Sequence, residues 1–163
     1  MTKQSVSKTN AMRTLDRRGI EYQTFTYDES IKTANGAAAA IGADVQDVFK
    51  TLVLLRSEGR PLLLMVPGDK EVDMRALASE IGCKDVRLAP QREAERMTGL
   101  QIGGIGALAL LDRPFDVMID RVALAREAIY VNGGRRGLNL HLSTVDLIEV
   151  TGACVVAVTE RHT

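Results

Sequence analysis

The chain has 163 residues, 45% of them hydrophobic and 26% charged, enough for one hydrophobic core and too few for two comfortable domains. That balance excludes a disordered chain. With 21 basic residues against 21 acidic ones the formal charge is zero, whereas a protein that holds nucleic acid by itself usually carries a basic excess for phosphate contacts, so a nucleic-acid substrate is expected to be touched over only a small part.

The first ten residues are polar and, with residues 159–163, are expected to fray. They contain no apolar signal segment, and no apolar run reaches membrane-spanning length. The cytoplasm is therefore the expected compartment, and the chain reads as a single domain over residues 1–163. Residues 11–18 read as a helix ended by Gly19, and residues 20–27 as a strand rich in aromatic residues and threonine. Asn35 is expected to cap an alanine-rich helix that stops at Gly42. Residues 48–55 and 61–66 form two strands around a turn at 57–60, an antiparallel hairpin. Asp73 caps a helix stopped by Gly82. A short strand follows at 86–88, and Pro90 opens a helix running to Met97. After a glycine-rich loop at 103–106, residues 107–111, 115–119 and 128–131 are strand candidates. A second glycine-rich turn, 132–137, leads into a strand at 138–142. Ser143 caps a short helix, and residues 153–158 form a last strand. Short strands mixed with short helices predict an α/β domain of mixed α+β character, with a mixed, mostly antiparallel sheet.

The inventory for chemistry is sparse. Cys83 and Cys154 form no CxxC pair, and the histidines are His141 and the near-terminal His162. This excludes most zinc sites and leaves triad chemistry one internal histidine. Lys50 stands out because strand alternation places it in phase with Val48, Leu52 and Leu54. Two readings exist: it snorkels to water at the strand end, or it points into a pocket toward an anion or a carbonyl. Pocket lysines are the minority outcome, so the residues alone favour the first. Gly103-Gly104-Ile105-Gly106 is either a tight turn or a loop whose amides meet a ligand. Extended by Ala107-Leu108-Ala109, it matches a dinucleotide fingerprint only weakly, since a helix-like stretch precedes it; G-K-[ST] is absent. Asn132-Gly133-Gly134-Arg135-Arg136-Gly137 reads as a hairpin with a basic tip, or as a polar pocket rim whose arginines meet phosphate. His141 alternates away from its leucine neighbours as a half-exposed strand residue, and Glu93 with Glu95 reads as solvated helix face.

Three segments together resemble the YbaK/EbsC family, free-standing relatives of the editing domain inserted in bacterial prolyl-tRNA synthetases. They are Val48-Phe49-Lys50-Thr51-Leu52, Thr98-Gly99 with Ile102-Gly103-Gly104-Ile105, and Ile129-Tyr130-Val131-Asn132-Gly133-Gly134-Arg135-Arg136-Gly137-Leu138. The resemblance extends over residues 11–158. It implies a mixed-sheet fold with a central pocket and hydrolysis of a noncognate aminoacyl ester at a tRNA 3′ end, often Cys-tRNA(Pro). No cofactor, metal or protein nucleophile is implied. Lys50 matches the family's essential lysine, expected to hold the terminal adenosine's phosphate or the ester carbonyl. Gly103 and Gly104 match the loop whose amides position the ester, with the ribose 2′-OH or the substrate's thiol assisting. Tyr27, Thr33, Ile105, Gly106, Asn132, Gly133, Arg136 and Asn139 fall at expected substrate-binding positions. The implied partners are the aminoacyl-tRNA 3′ end and a synthetase that holds the rest of the tRNA; membrane and DNA are not expected. Cys-editing members carry Ser-Pro at Gly106-Ala107, Ser at Asn132 and Asp at Asn139, so specificity is expected to depart from theirs toward a roomier, less acidic pocket. The competing reading is a noncatalytic module that binds a tRNA end or a nucleotide; a dinucleotide-dependent enzyme rests only on the weak glycine match.

Overall fold

A computed structural model describes residues 7–159. Helix α1 (Asn10–Arg17) is capped by Thr9, whose hydroxyl accepts from Met12 N, and β1 (Tyr22–Thr26) follows. Thus residues 7–10, expected to fray, include the start and cap of a helix; residues 1–6 and 160–163 lie outside the described span. Helix α2 (Ala34–Ile41) is capped by Thr33, not by Asn35. Both residue types can cap, but Thr33 has the extended backbone a cap needs (φ −110°, ψ 154°) and accepts from Gly36 N at 3.0 Å.

Strands β2 (Phe49–Arg56) and β3 (Leu62–Pro67) form the expected antiparallel hairpin, with Lys50 opposite Val66. Then come α3 (Met74–Ile81), capped by Asp73, β4 (Val86–Leu88) and α4 (Gln91–Thr98). The expected strand at 107–111 is instead a 3-10 turn, Ala107–Leu110. The run is apolar without alternation, and Ala107, Leu108 and Leu110 are all buried in one core, so periodicity could not separate the two conformations. Next are β5 (Asp116–Asp120), a 3-10 turn (Arg121–Ala125) that sequence reading did not find, β6 (Ala128–Asn132) and β7 (Leu138–Ser143). Helix α5 (Thr144–Thr151), capped by Ser143, and β8 (Cys154–Val156) complete the described elements.

The strands make a five-stranded sheet, β4-β2-β3-β5-β8, and a three-stranded sheet, β1-β7-β6. Pairing is antiparallel except for β3–β5 and β5–β8, which is the mixed, mostly antiparallel α/β architecture predicted. Both faces of the five-stranded sheet are covered. Phe49, Val53, Leu63, Met65 and Ile119 join one core with Ile129, Val131, Leu138 and Leu140 of the smaller sheet. Leu54, Leu62, Leu64 and Val66 face the other way, onto Leu77 of α3. Hence all six residues of β3 are buried, as a central two-sided strand requires. A parallel bridge between Val48 and Tyr130 links the sheets where β2 begins.

One buried carboxylate belongs to this framework. Asp120 is 1% exposed and accepts from Val122 N, Val158 N, Thr159 N and Thr159 Oγ1 at 2.8–3.2 Å. Four donors offset the cost of burying the charge and tie residues 158–159 to β5.

Candidate active site

A cavity of about 420 Å³ opens where β2 begins, between α2 and the two glycine-rich loops. Strand β2 supplies Lys50 and Thr51, and the first turn of α2 supplies Thr33, Ala34 and Asn35, with Lys32 just before it. Gly68 makes this meeting possible: a Cβ there would lie 2.5 Å from Ala34 Cβ and 3.0 Å from Val48 O, so only glycine lets α2 sit against β2. Lys50 is half-buried, and its Nζ donates to Gly68 O at 3.3 Å. Lys50 therefore lies in the pocket rather than snorkelling past it. Strand phase alone could not decide this, because the pocket is made by α2, remote in sequence.

The opposite wall is Tyr27, Ile102, Gly103, Ile105, Asn132 and Asn139. Asn132 and Asn139 are paired across β6 and β7 and so share a face. Asn139 is 3% exposed, and Tyr27 Oη donates to its Oδ1 at 3.3 Å. Burial pushes the Tyr27 phenol up from its ordinary value, so the hydroxyl stays a donor at neutral pH.

Seven of the expected site residues thus meet at one cavity: Lys50, Gly103, Tyr27, Thr33, Ile105, Asn132 and Asn139. Gly104, Gly106, Gly133 and Arg136 do not line it. Gly104, Gly106 and Arg136 lie where the two loops meet, and Gly133 donates its N–H to Leu138 O at 2.9 Å within its own hairpin. Asn132 Nδ2 donates to Gly103 O (2.9 Å) and Arg135 O (3.1 Å), while its Oδ1 accepts from Gly134 N (2.6 Å). Arg136 Nε donates to Ile102 O at 2.7 Å. The Gly104 amide is turned to Gln101 O at 2.7 Å, so it is committed within its own turn rather than offered to an ester. A Cβ at Gly104 would lie 2.8 Å from Arg136 N, and one at Gly106 only 2.6 Å from Asn132 O. The glycines at 104 and 106 therefore permit the close approach of the loops, and the expectation that Gly106 and Ala107 widen the pocket wall gives way: neither lines it. Gly103 differs. Its φ is +89°, and a Cβ would press on Lys32 Cα at 3.0 Å.

Sequence reading missed Lys32, Asn35, Thr51 and Gly68. Lys32 carried a usable signal. A cation beside a helix N-terminus opposes the helix dipole and is poor economy for stability, which is what an anion site would ask for. His141 is elsewhere, stacked on Tyr130 with centroids 4.1 Å apart, and neither Cys83 nor Cys154 lines the cavity. Burial lowers the His141 pKa. Among the described residues the lining holds no Asp, Glu, His or Cys.

A family model described as an aminoacyl-tRNA editing domain matches residues 28–150. The chain belongs to that family. Its sequence is 27% identical over 162 residues to EbsC of Enterococcus faecalis, whose name proposes a Cys-tRNA(Pro)/Cys-tRNA(Cys) deacylase; the match covers 98% of both chains. A crystal structure proposed as a trans-editing enzyme for prolyl-tRNA synthetase is 27% identical with a TM-score of 0.81, covering 96% of this editing domain and 100% of that chain. A proline–tRNA ligase of Shouchella clausii is 34% identical over 83 residues, 51% of this chain but 14% of the ligase. The editing domain thus spans almost all of the free-standing relative and a small part of the synthetase, in keeping with the YbaK/EbsC resemblance. None of its described helices is long and apolar enough to cross a membrane.

Proposed function

We propose that this chain acts in trans on tRNA, hydrolysing the ester of a small, mischarged amino acid, with Cys-tRNA(Pro) as the first candidate. The observation that carries the mechanism is the lining itself: two lysines and a set of amides, with no carboxylate, imidazole or thiol among the described residues. Such a wall can position and stabilise charge, but its hydroxyls, Tyr27, Thr33 and Thr51, have no carboxylate or imidazole in the lining to activate them as nucleophiles. The proton chemistry then falls to the substrate, through the ribose 2′-OH or the amino acid's own side chain, and the protein contributes orientation and electrostatics.

In this reading Lys50 and Lys32 flank the first turn of α2, whose orphan N–H groups add to the positive end. Together they suit the phosphate of the terminal adenosine, with Lys50 within reach of the ester carbonyl as well. Gly103 allows the ester to approach the loop backbone. The small side chain is taken from the family resemblance, since a cavity of about 420 Å³ does not itself exclude larger ones, and size discriminates poorly where one methylene is worth only about 1–3 kcal/mol. A preference relaxed among Cys, Ala and Ser follows. Zero net charge supports a footprint confined to the tRNA end, with a synthetase holding the remainder.

The test is a panel of labelled aminoacyl-tRNAs incubated with the protein. Release of free amino acid from a subset, fastest for Cys-tRNA(Pro), is the expected result. Protection of every ester would replace the hydrolase with a binding module. Strict selectivity for one large amino acid would overturn the substrate class.

A further inference from the structure

The charges of the cavity bear on a part of the substrate that the reading above leaves open, the α-amino group. Every ester of an α-amino acid brings an amine beside the carbonyl. As an ammonium it is a cation with three donors and no acceptor. The lining presents Lys32 and Lys50 from the α2 and β2 sides and the Tyr27 phenol from the β1 side. From the β7 side it presents Asn139, whose Oδ1 already accepts from Tyr27. Its Nδ2 has no hydrogen-bond partner among the described residues, although the side chain is 3% exposed. That nitrogen is not sealed from solvent, since among the described residues Thr144 Oγ1 is the buried side-chain polar atom without a partner; Nδ2 is a donor open to whatever fills the cavity.

Of the charged groups just outside the lining, two are engaged elsewhere, whereas exposed Glu29 makes no ion pair among the described residues. Glu95 accepts from Ile102 N at 2.9 Å, Arg136 is bound to Ile102 O, and Glu29 packs beside Gly137. The wall therefore carries two lysines and no anion, and its side-chain acceptors include the neutral oxygens of Thr33, Asn35 and Thr51. An ammonium in it would meet like charge and donors; a neutral amine would offer its lone pair to a donor such as Asn139 Nδ2. Desolvation and nearby positive charge both act against the protonated form.

We infer that the cavity takes its aminoacyl ester with the α-amine uncharged, as a hydrogen-bond acceptor. This rests on the deacylase reading and adds a property that reading does not require. The consequence is visible in pH dependence. The amine of the free substrate titrates at or below the ordinary α-amino value of about 7.7–8.0. Histidine is the side chain whose ordinary titration falls between about pH 5 and 8, and none lines the cavity. A change in kcat/KM across that window therefore reports the substrate's own proton.

The experiment compares an aminoacyl-tRNA whose side chain does not titrate in this range, the alanyl or seryl ester rather than the cysteinyl one, with its α-hydroxyacyl counterpart, in which a hydroxyl replaces the amine. Rates above the enzyme-free background are measured between about pH 6 and pH 9, bracketing the amine. The aminoacyl kcat/KM should rise about tenfold per pH unit below the amine's pKa and then level, whereas the hydroxyacyl value should change less than about twofold. Asn139→Asp, which puts a carboxylate where the free donor was, should accept the ammonium and raise the ratio of the rate at low pH to that at high pH about tenfold. Parallel profiles for the two esters, or an aminoacyl rate that is flat or falls with pH, would overturn the inference while leaving the deacylase intact. If neither ester is cleaved at any pH, the deacylase reading itself falls, and this inference with it.

Discussion

The two walls of the cavity are built on opposite principles. On the α2–β2 side, Lys32 makes no hydrogen bond among the described residues, and Lys50 makes a single long one, at 3.3 Å. On the loop side, Asn132 uses three hydrogen bonds and Arg136 and Gly104 use theirs, all within the protein. A polar group already satisfied stabilises the fold; one left unsatisfied beside a cavity is available to a ligand. Residues that look alike in sequence, conspicuous polar side chains beside glycines, therefore divide into ligand-facing and scaffold.

That division is open to direct attack. The largest effect is expected at Lys50. Lys50→Ala should lower kcat/KM for deacylation by on the order of 10²-fold, about 3 kcal/mol, through loss of a charge-assisted contact in the transition state. The thermal midpoint should hardly move. Near-normal turnover by the folded variant would remove Lys50 from the ligand-facing side. Asn132→Ala should do the reverse. Losing three internal hydrogen bonds at about 0.5–1.5 kcal/mol each should lower the melting temperature by roughly 5–10 °C, with any loss of activity following loss of folded protein. A stable Asn132→Ala whose kcat/KM has collapsed would show the amide to be a substrate contact after all.

Adjacent glycines sharpen the same contrast. Gly104→Ala forces a methyl against the backbone of Arg135 and Arg136 and should cost about 1–3 kcal/mol of stability, as overpacking does, read by denaturant midpoint. Gly103→Ala must move Lys32 and abandon a φ of +89°, so its activity should fall further than its stability does. If the two variants keep a constant ratio of activity to folded protein, the loop is scaffold throughout. The smaller expected effect is at Lys32. Lys32→Met should raise KM roughly tenfold, about 1.4 kcal/mol of binding, with kcat little changed; an unchanged KM would place the lysine outside the substrate's reach.

Much of the fold was legible in the sequence because local chemistry fixed it. The caps Asp73 and Ser143, the glycine stops at Gly42 and Gly82, and the β2–β3 and β6–β7 hairpins all follow from turn and capping residues within a few positions. The failures share a cause. The run at 107–110 and the choice of Thr33 over Asn35 depend on what packs against them from far along the chain. The site divided the same way. Strand phase flagged Lys50 and the glycine patterns flagged both loops, but which polar groups were already spent could not be read, because their partners, such as Gly103 O for Asn132, lie about thirty positions away. Lys32, exposed in the folded protein as well, was overlooked because its one sequence signal, a cation beside a helix N-terminus, depends on where the helix starts, and the start was misplaced at Asn35.

Asp120 carries a consequence for how the molecule is made. Three of the four donors to its buried carboxylate come from Val158 and Thr159. While those residues are missing, closing the core around β5 would strand a charge away from water, a penalty of several kcal/mol against a total stability of only about 5–15 kcal/mol. The native packing around β5 therefore has to wait for a segment 38 and 39 positions further along the chain, and folding of this part cannot proceed strand by strand.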